Sequence, residues 1–132
     1  MEISEIDVQE YYAFLRSNVS RTEQVDLHEI KSELHAYGAY LDGKLAGVCS
    51  WFRHKDTVRV KGLYTLAECR GKGLGTAMLG HIMQETEREK YHDTFATHFS
   101  KRLFEKAGFY TVRERKYPKG TVAYMVKGNK EN

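Results

Sequence analysis

A glycine-rich run, Arg70-Gly71-Lys72-Gly73-Leu74-Gly75-Thr76, joins two segments of different periodicity. The segment before it, Val58 to Leu66, has the composition of a strand, and an amphipathic helix begins near Leu74. A glycine-rich turn between a strand and a helix directs several backbone N–H groups, and the positive end of the helix dipole, toward one point. Arg70 and Lys72 add positive charge there. The run therefore predicts a pyrophosphate-binding site, and the alternative is an ordinary turn that caps a surface helix.

Two common glycine-rich patterns do not fit this run. The dinucleotide-binding pattern Gly-x-Gly-x-x-Gly would need a third glycine at Thr76 or at Met78, and the P-loop pattern would need its first glycine at Leu66. The pattern Gln/Arg-x-x-Gly-x-Gly/Ala does fit, because an arginine and the last two glycines of the run occupy its fixed positions. The run thus differs from the usual nucleotide-binding turns.

A second pattern lies further along the chain, from Phe99 to Phe109. Leu103, Lys106 and Gly108 are spaced as in a short helix that ends at a left-handed glycine, after which Phe109 begins a strand. Together the two patterns resemble those of the GNAT family of acyl-CoA N-acyltransferases, in which the first holds the pyrophosphate of coenzyme A. On this resemblance the chain is identified as a member of that family.

The resemblance implies a fold and a domain organisation. The expected fold is the α/β GNAT acyl-CoA N-acyltransferase fold, a central, mixed but mostly antiparallel sheet with a splayed strand pair and helices on both faces. A chain of 132 residues makes one domain, which we expect to span residues 1–127. Residues 128–132 are expected to be a frayed tail.

The resemblance also implies a cofactor, acetyl-CoA or another acyl-CoA. Main-chain groups of the strand before the turn would pair with the amides of pantetheine, and the glycine-rich run would bind the pyrophosphate. The expected cofactor-binding residues are Leu63, Tyr64, Thr65, Arg70, Gly71, Lys72, Gly73, Leu74, Gly75, Thr76, Phe104 and Lys106. No metal is expected, because the helical histidines are scattered along the chain.

The catalytic groups common in the family are replaced here. Family members often protonate the leaving thiolate with a tyrosine, and Phe104 at that position has no proton to give. The strand before the turn carries Arg59 and Lys61 where an acidic base is common, and Thr97 stands at an asparagine position of the second pattern. The resemblance therefore assigns the cofactor site more fully than the proton transfers.

His98 is the predicted catalytic residue, because a histidine between the splayed strand and the next helix could relay protons at neutral pH. An exposed histidine without a role is the alternative. Ser100 could donate a proton to the thiolate or simply cap a helix, and Tyr64 could reach the site or enter the core. A water-relayed base, with the protein contributing mainly proximity, is also consistent with the sequence.

Periodicity and turn residues predict the remaining elements. The strands are expected at Met1 to Ile6, Ala36 to Phe52 with a hairpin at Asp42-Gly43, Val58 to Leu66, Thr94 to Thr97, Phe109 to Arg115 and Thr121 to Val126. A first helix is expected at Val8 to Val19, a long helix at Gly73 to Lys90, and a short helix after Ser100. Between the first two, the capping box Ser20-Arg21-Thr22-Glu23 is expected to open a further helix, which would have Leu27, Ile30 and Leu34 on one face. Leu74, Met78, Leu79, Ile82 and Met83 form the expected buried stripe of the long helix.

Composition limits the possible partners. The net charge of +3 suits an anionic cofactor and does not by itself indicate nucleic acid. No apolar run approaches the roughly 18 residues of a membrane span. Cys49 and Cys69 are too few for a disulfide framework and fit no zinc pattern, so we expect reduced thiols and a cytoplasmic protein. The protein is also expected to be a monomer or a homodimer.

The function implied by the resemblance is transfer of an acetyl group from acetyl-CoA to a primary amine of a small molecule, peptide or protein by direct attack. Acids near the N-terminus, such as Glu10 and Glu33, could attract a cationic amine or be ordinary surface charge. Two alternatives are a catalytically weak or inactive acyl-CoA-binding protein, suggested by Phe104, and an acyltransferase that modifies nucleic acid through the basic stretch Arg113 to Lys119.

Overall fold

The computed structural model describes residues 1–20, 30 and 32–128. The strands are β1 (Glu2–Ile6), β2 (Leu34–Leu41), β3 (Lys44–His54), β4 (Thr57–Thr65), β5 (Tyr91–Thr97), β6 (Tyr110–Tyr117) and β7 (Gly120–Lys127). The helices are α1 (Val8–Asn18), α2 (Leu74–Glu85) and α3 (Lys101–Lys106), and a 3-10 turn covers Ala67–Cys69. This α/β architecture is the one expected from the resemblance.

The seven strands form one sheet in the order β1-β2-β3-β4-β5-β7-β6. Every neighbouring pair is antiparallel except β4 and β5, which run parallel from Thr57 opposite Tyr91 to Val60 opposite Thr94. The pairing ends there, although both strands continue. The splayed strand pair predicted from the resemblance is therefore present between β4 and β5.

The hairpin between β2 and β3 follows the prediction from Asp42-Gly43. Both residues have positive φ, 50° and 78°, as a two-residue type I′ turn requires. Leu41 consequently pairs with Lys44 directly across the turn. The twist of this turn matches that of the strands, so the local sequence is sufficient to set the register.

Two apolar clusters hold the helices to the sheet. Leu74, Met78, Leu79 and Ile82 of α2 are buried in one cluster, as predicted, and Met83 packs against it in part. Tyr11, Tyr12 and Leu15 of α1 belong to the other cluster, together with Val48, Phe52 and Tyr64 of the sheet. Burial of these stripes, rather than helix propensity, is the main stabilisation of such short helices.

Helix α2 ends at Glu85, so the prediction that it continues to Lys90 was wrong. The Thr86 hydroxyl donates to the Ile82 carbonyl at 2.7 Å and is buried beside the His92 ring. The following segment, residues 87–90, is wholly charged and offers no apolar side chain to the sheet. The helix therefore stops where its apolar stripe stops.

The structure corrects some other element boundaries. Leu34 does not belong to a helix: it begins β2, pairs with Phe52 and is buried. Alternation of Leu34 and Ala36 into the core, a period of two, outweighs the helical spacing on which the prediction relied. Strand β5 begins at Tyr91 and is longer than predicted. Residues 21–29, 31 and 129–132, which carry most of the predicted second helix and the tail, lie outside the described residues. No described helix is long and apolar enough to cross a bilayer.

Candidate functional site

The glycine-rich turn places open space above the first turn of α2. Gly71 and Gly73 have φ of +81° and +83°, and a Cβ at either position would meet nothing within 4 Å. Gly73 is the N-cap, and the first helical bond runs from the Ala77 N–H to the Gly73 carbonyl at 3.0 Å. The backbone N–H groups of residues 74–76 therefore lack partners within the helix and point out of its N-terminus. This geometry leaves room for an anion, and the pyrophosphate site stays a prediction.

Gly75 has a different surrounding from the two earlier glycines. A Cβ there would lie 3.6 Å from Leu63 Cδ2 and 3.6 Å from Leu103 Cδ2. The start of α2 is consequently packed against the end of β4 and against α3. The close packing places the turn next to Leu63, the first residue of the strand segment predicted to pair with pantetheine.

Arg70 connects the turn to the end of β4. Its Nε donates to the Thr65 carbonyl at 3.0 Å, and its guanidinium lies 5.2 Å from the centroid of the Tyr64 ring. Lys72 is exposed within the turn, and Lys106 is exposed in the last turn of α3. The structure thus brings the predicted residues of β4 and of the turn together, with cations at their edge.

A cavity of about 260 Å³ lies where β4 and β5 separate. Val60, Leu63 and Phe104 supply part of its apolar wall. Phe104 is 2% exposed, and its ring packs edge-on against Phe109 with centroids 5.1 Å apart. Polar groups of Thr94, Thr97 and Ser100 also line the cavity, which we call the cleft.

Strand β4 bulges at the cleft. The register changes from Tyr64 opposite Val48 to Lys61 opposite Ser50, so β4 carries one extra residue between these pairs. Gly62 lies in the bulge with φ of +63° and lines the cleft. A bulge turns backbone groups out of the sheet ladder, so this segment can present main-chain groups to a ligand.

A buried hydroxyl network supports the bulge from α1 and β3. The Tyr11 hydroxyl donates toward the carbonyls of Lys61 and Gly62, both at 3.3 Å, and Ser50 Oγ lies 2.9 Å from the same hydroxyl. Tyr11, Ser50 and Gly62 were not among the site residues predicted from the sequence. A glycine inside a strand pattern is the signal that could have located the bulge.

Arg59 lines the cleft from β4 and is held in place by an ion pair with Asp93 of β5. Arg59 Nε and Nη2 donate to the two carboxylate oxygens of Asp93 at 2.9 and 2.8 Å, and the Tyr124 hydroxyl donates to Asp93 Oδ2 at 2.7 Å. The hydrogen bond with Asp93 raises the pKa of Arg59. Burial and the bond to Asp93 raise the pKa of Tyr124, which stays protonated. The three side chains hold one another in fixed positions.

The candidate proton-transfer residues occupy different positions. Ser100 lines the cleft with its Oγ 3.4 Å from the Thr97 carbonyl. His98 is exposed, stacks on Phe99 with ring centroids 4.0 Å apart, and does not line the cleft. Tyr64 is buried, and its hydroxyl donates to the Asn18 carbonyl at 3.0 Å. The Tyr64 side chain is therefore part of the core. The catalytic role of His98 stays a prediction.

Comparison with protein families gives a match over most of the chain. The model of the acetyltransferase (GNAT) family matches residues 2–109. A search of curated protein sequences found no match.

Solved structures share the architecture at low sequence identity. The ribosomal-protein-S18-alanine N-acetyltransferase of Escherichia coli has a TM-score of 0.77 and 15% identity, covering 96% of this chain and 92% of that one. The ribosomal-protein-alanine N-acetyltransferase of Brucella melitensis has a TM-score of 0.73 and 18% identity over 98% and 100% of the two chains. An aminoglycoside 6'-N-acetyltransferase complexed with coenzyme A has a TM-score of 0.72 and 15% identity over 96% of each chain. At these identities the likeness concerns the fold.

Proposed function

The chain belongs to the acetyltransferase (GNAT) family, and from this we propose that it transfers an acetyl group from acetyl-CoA to a primary amine. One observation carries the proposal: Leu63 lines the cleft and also lies against the glycine-rich turn, since its Cδ2 is 3.6 Å from a Cβ built on Gly75. An anion-binding turn and a partly apolar cleft are therefore adjacent. This arrangement suits a ligand with a phosphate at one end and an acyl group at the other.

The expected contacts of acetyl-CoA follow from this adjacency. The main chain of Leu63, Tyr64 and Thr65 would pair with the amides of pantetheine, as an added strand does. The N–H groups from Gly71 to Thr76 would bind the pyrophosphate, with Arg70 and Lys72 adding charge, and Phe104 and Lys106 would complete the site from α3. The open space above Gly71 and Gly73 supports this assignment.

Acetyl-CoA supplies the thioester that the amine attacks, and the protein has to provide orientation and proton transfer. Phe104 lines the cleft but has no proton to donate. Ser100 is the N-cap of α3 and lines the cleft together with Phe104 of that helix, so we propose the Ser100 hydroxyl as the donor to the leaving thiolate. His98 is the competing candidate from the sequence.

The acceptor is proposed to be an amine. The solved relatives named above are described as acetylating an alanine of a ribosomal protein or an aminoglycoside, and both are amine acceptors. A cytoplasmic location, acetyl as the acyl group, and a monomer or homodimer stay predictions for this chain.

Calorimetric titration with acetyl-CoA, together with thiol release in the presence of a panel of amines, tests the proposal. Gly73→Asp places a carboxylate where the pyrophosphate is expected, so acetyl-CoA binding should be lost. The φ of +83° at this position adds a strain cost of about 1–3 kcal/mol, which thermal unfolding measures separately. Gly80→Asp is the matched control: Gly80 lies on the same helix, is exposed, and has nothing within 4 Å of a built Cβ. Unchanged affinity in Gly73→Asp would contradict the proposed cofactor site.

The alternative of a non-catalytic acyl-CoA-binding protein is suggested by Phe104 and by Arg59 and Lys61, which stand where an acidic base is common in the family. Thiol release separates the two functions. Micromolar binding of acetyl-CoA without turnover of any amine in a broad panel would support the alternative and would contradict transferase activity.

A further inference from the structure

We propose that the acceptor amine also carries an oxyanion, a carboxylate or a phosphate, which Arg113 and Arg115 bind. The inference rests on the proposed function, because the acceptor has to reach the same cleft. It concerns a second cavity beside the cleft, for which the family match gives no ligand.

The second cavity has a volume of about 110 Å³ and lies over β5, β7 and β6. Arg113, Arg115 and Tyr117 line it from β6, and Tyr124 lines it from β7. Phe95 of β5 is 51% exposed and lines both this cavity and the cleft. A small acceptor that passes over Phe95 can therefore place its amine in the cleft and its other end between the two arginines.

The alternation of side chains along β6 places the two arginines and Glu114 on opposite faces of the strand. Arg113, Arg115 and Tyr117 share the face that lines the cavity. Glu114 lies on the opposite face, where Lys101 Nζ is 3.3 Å from its carboxylate. In the part of the chain that the structure describes, no ion pair involves Arg113 or Arg115. The positive charge of the cavity is therefore not neutralised by its own strand.

The floor of the cavity positions one of these arginines. The guanidinium of Arg113 lies 4.4 Å from the centroid of the Tyr124 ring. The Tyr124 ring packs on Phe95 with centroids 4.9 Å apart, and its hydroxyl donates to Asp93 at 2.7 Å. An arginine that stacks on a fixed ring loses little further freedom on binding and keeps its N–H edge for a planar oxyanion.

The carboxylate of Asp93, which accepts from Tyr124 below the cavity, does not neutralise these arginines. Asp93 is 1% exposed, and Arg59 satisfies both of its oxygens. Of the acids that could attract a cationic acceptor, Glu10 and Glu33 line neither cavity, and Glu23, Asp26 and Glu29 lie outside the described residues. Among the described residues that line the two cavities there are cations and no carboxylate, which favours an acceptor with a negative group.

Matched pairs of acceptors test the proposal by thiol release with acetyl-CoA. The acceptors must reach from the cleft across β5 and β7, roughly two strand spacings of about 4.8 Å each. We therefore compare 6-aminohexanoate with its amide, glycylglycine with its amide, and 6-aminohexyl phosphate with 6-aminohexanol. We expect kcat/KM to be at least about tenfold higher for the anionic member of a pair, because a charge-assisted bidentate contact strengthens binding by about a factor of ten or more. The carboxylate and phosphate pairs distinguish the two oxyanions.

The double variant Arg113→Gln/Arg115→Gln should raise KM for the anionic acceptors by about tenfold or more. Its turnover of neutral amines and its acetyl-CoA affinity should stay as in the wild type. Lys116→Gln is the matched control, since it removes one cation from the opposite face of the same strand. It should change neither the KM for the anionic acceptors nor the affinity for acetyl-CoA. A loss in Lys116→Gln equal to that in the double variant would overturn the proposal.

Equal kcat/KM within every acceptor pair would overturn the proposal while leaving transferase activity standing. Salt-dependent binding of a single-stranded oligonucleotide that Arg113→Gln/Arg115→Gln abolishes and anionic amines do not displace would also overturn it, in favour of a nucleic-acid acceptor. Where no amine turns over, binding of 6-acetamidohexanoate and of its amide is measured by NMR. A preference for the carboxylate that the double variant loses supports the oxyanion site, and no preference overturns it.

Discussion

The hydroxyl of Tyr11 lies against the backbone of Gly62, so closely that a Cβ at position 62 would overlap it. Tyr11 is on α1 and fully buried, and Gly62 is in the bulge of β4 that lines the cleft. The position of α1 and the conformation of the bulge are therefore coupled through two residues. Any change at either one should be felt in the cleft.

Gly62→Ala is expected to destabilise the protein by about 1–3 kcal/mol from its positive φ, with further loss from the overlap with Tyr11. Tyr11→Phe should cost about 1–3 kcal/mol, because it removes a buried hydrogen-bonding partner. Since Phe lacks the oxygen that a Cβ at position 62 would overlap, the double variant should lose less than the sum of the single variants. Urea unfolding of all four proteins measures this coupling, and strictly additive losses would contradict it.

Ser100→Ala should lower kcat about tenfold or more without changing the dissociation constant of acetyl-CoA, as expected for loss of a proton donor. His98→Ala is the paired variant, and the same assay tests the sequence prediction. The two variants remove a polar group from neighbouring positions of one loop and differ in access to the cleft. Full activity in Ser100→Ala with a large loss in His98→Ala would reverse the assignment.

Asp93→Asn should destabilise the protein by about 3 kcal/mol, because Arg59 would lose the carboxylate that faces it in the cleft wall. The Arg59 side chain keeps 20% of its exposure, which places the expected loss at the low end for a buried pair. Tyr124→Phe removes one hydrogen bond to the same carboxylate and should cost about 1.5 kcal/mol. Thermal and urea unfolding check both values, and equal losses would contradict this ordering.

His92 should make the stability depend on pH. Burial, followed by the charge of Lys127, lowers the pKa of His92 below its usual 6.5. Below pH 6.5 the unfolded chain therefore binds a proton that the folded protein does not, so the free energy of unfolding falls as the pH drops toward the lowered pKa. The contribution is fully present above pH 6.5.

His92→Gln should flatten this part of the pH profile, because glutamine can still donate to Thr86 and does not titrate. Urea unfolding of both proteins is compared between about pH 7.5 and pH 5, a range that includes the usual histidine pKa of 6.5. A slope as steep in His92→Gln as in the wild type would assign the effect to other groups.

Local signals in the sequence were enough for the turns and for most elements. The Asp42-Gly43 hairpin and the helix end at Gly108, whose φ is +99°, depend on backbone conformations that few residues adopt. The glycine-rich turn was predicted for the same reason. These features are determined by residues next to one another in the chain.

Features set by distant residues could not be predicted. The bulge at Gly62 depends on Tyr11, 51 residues earlier. The Arg59, Asp93 and Tyr124 group spans three strands whose adjacency the sequence did not specify. The helical spacing around Leu34 was misleading because short apolar patterns fit either period, and pairing with β3 decided between them.

The parallel seam between β4 and β5, with its four register pairs, has a consequence for folding cooperativity. On one side of the seam lies the antiparallel group β1–β4, and on the other lie β5, β7 and β6. Acetyl-CoA would contact mainly the first group and the acceptor mainly the second, so neither half alone holds a complete site. Among the central strands, amide hydrogen exchange should therefore be fastest at this seam. Each ligand should slow the exchange, because it binds only the form in which β4 and β5 are paired.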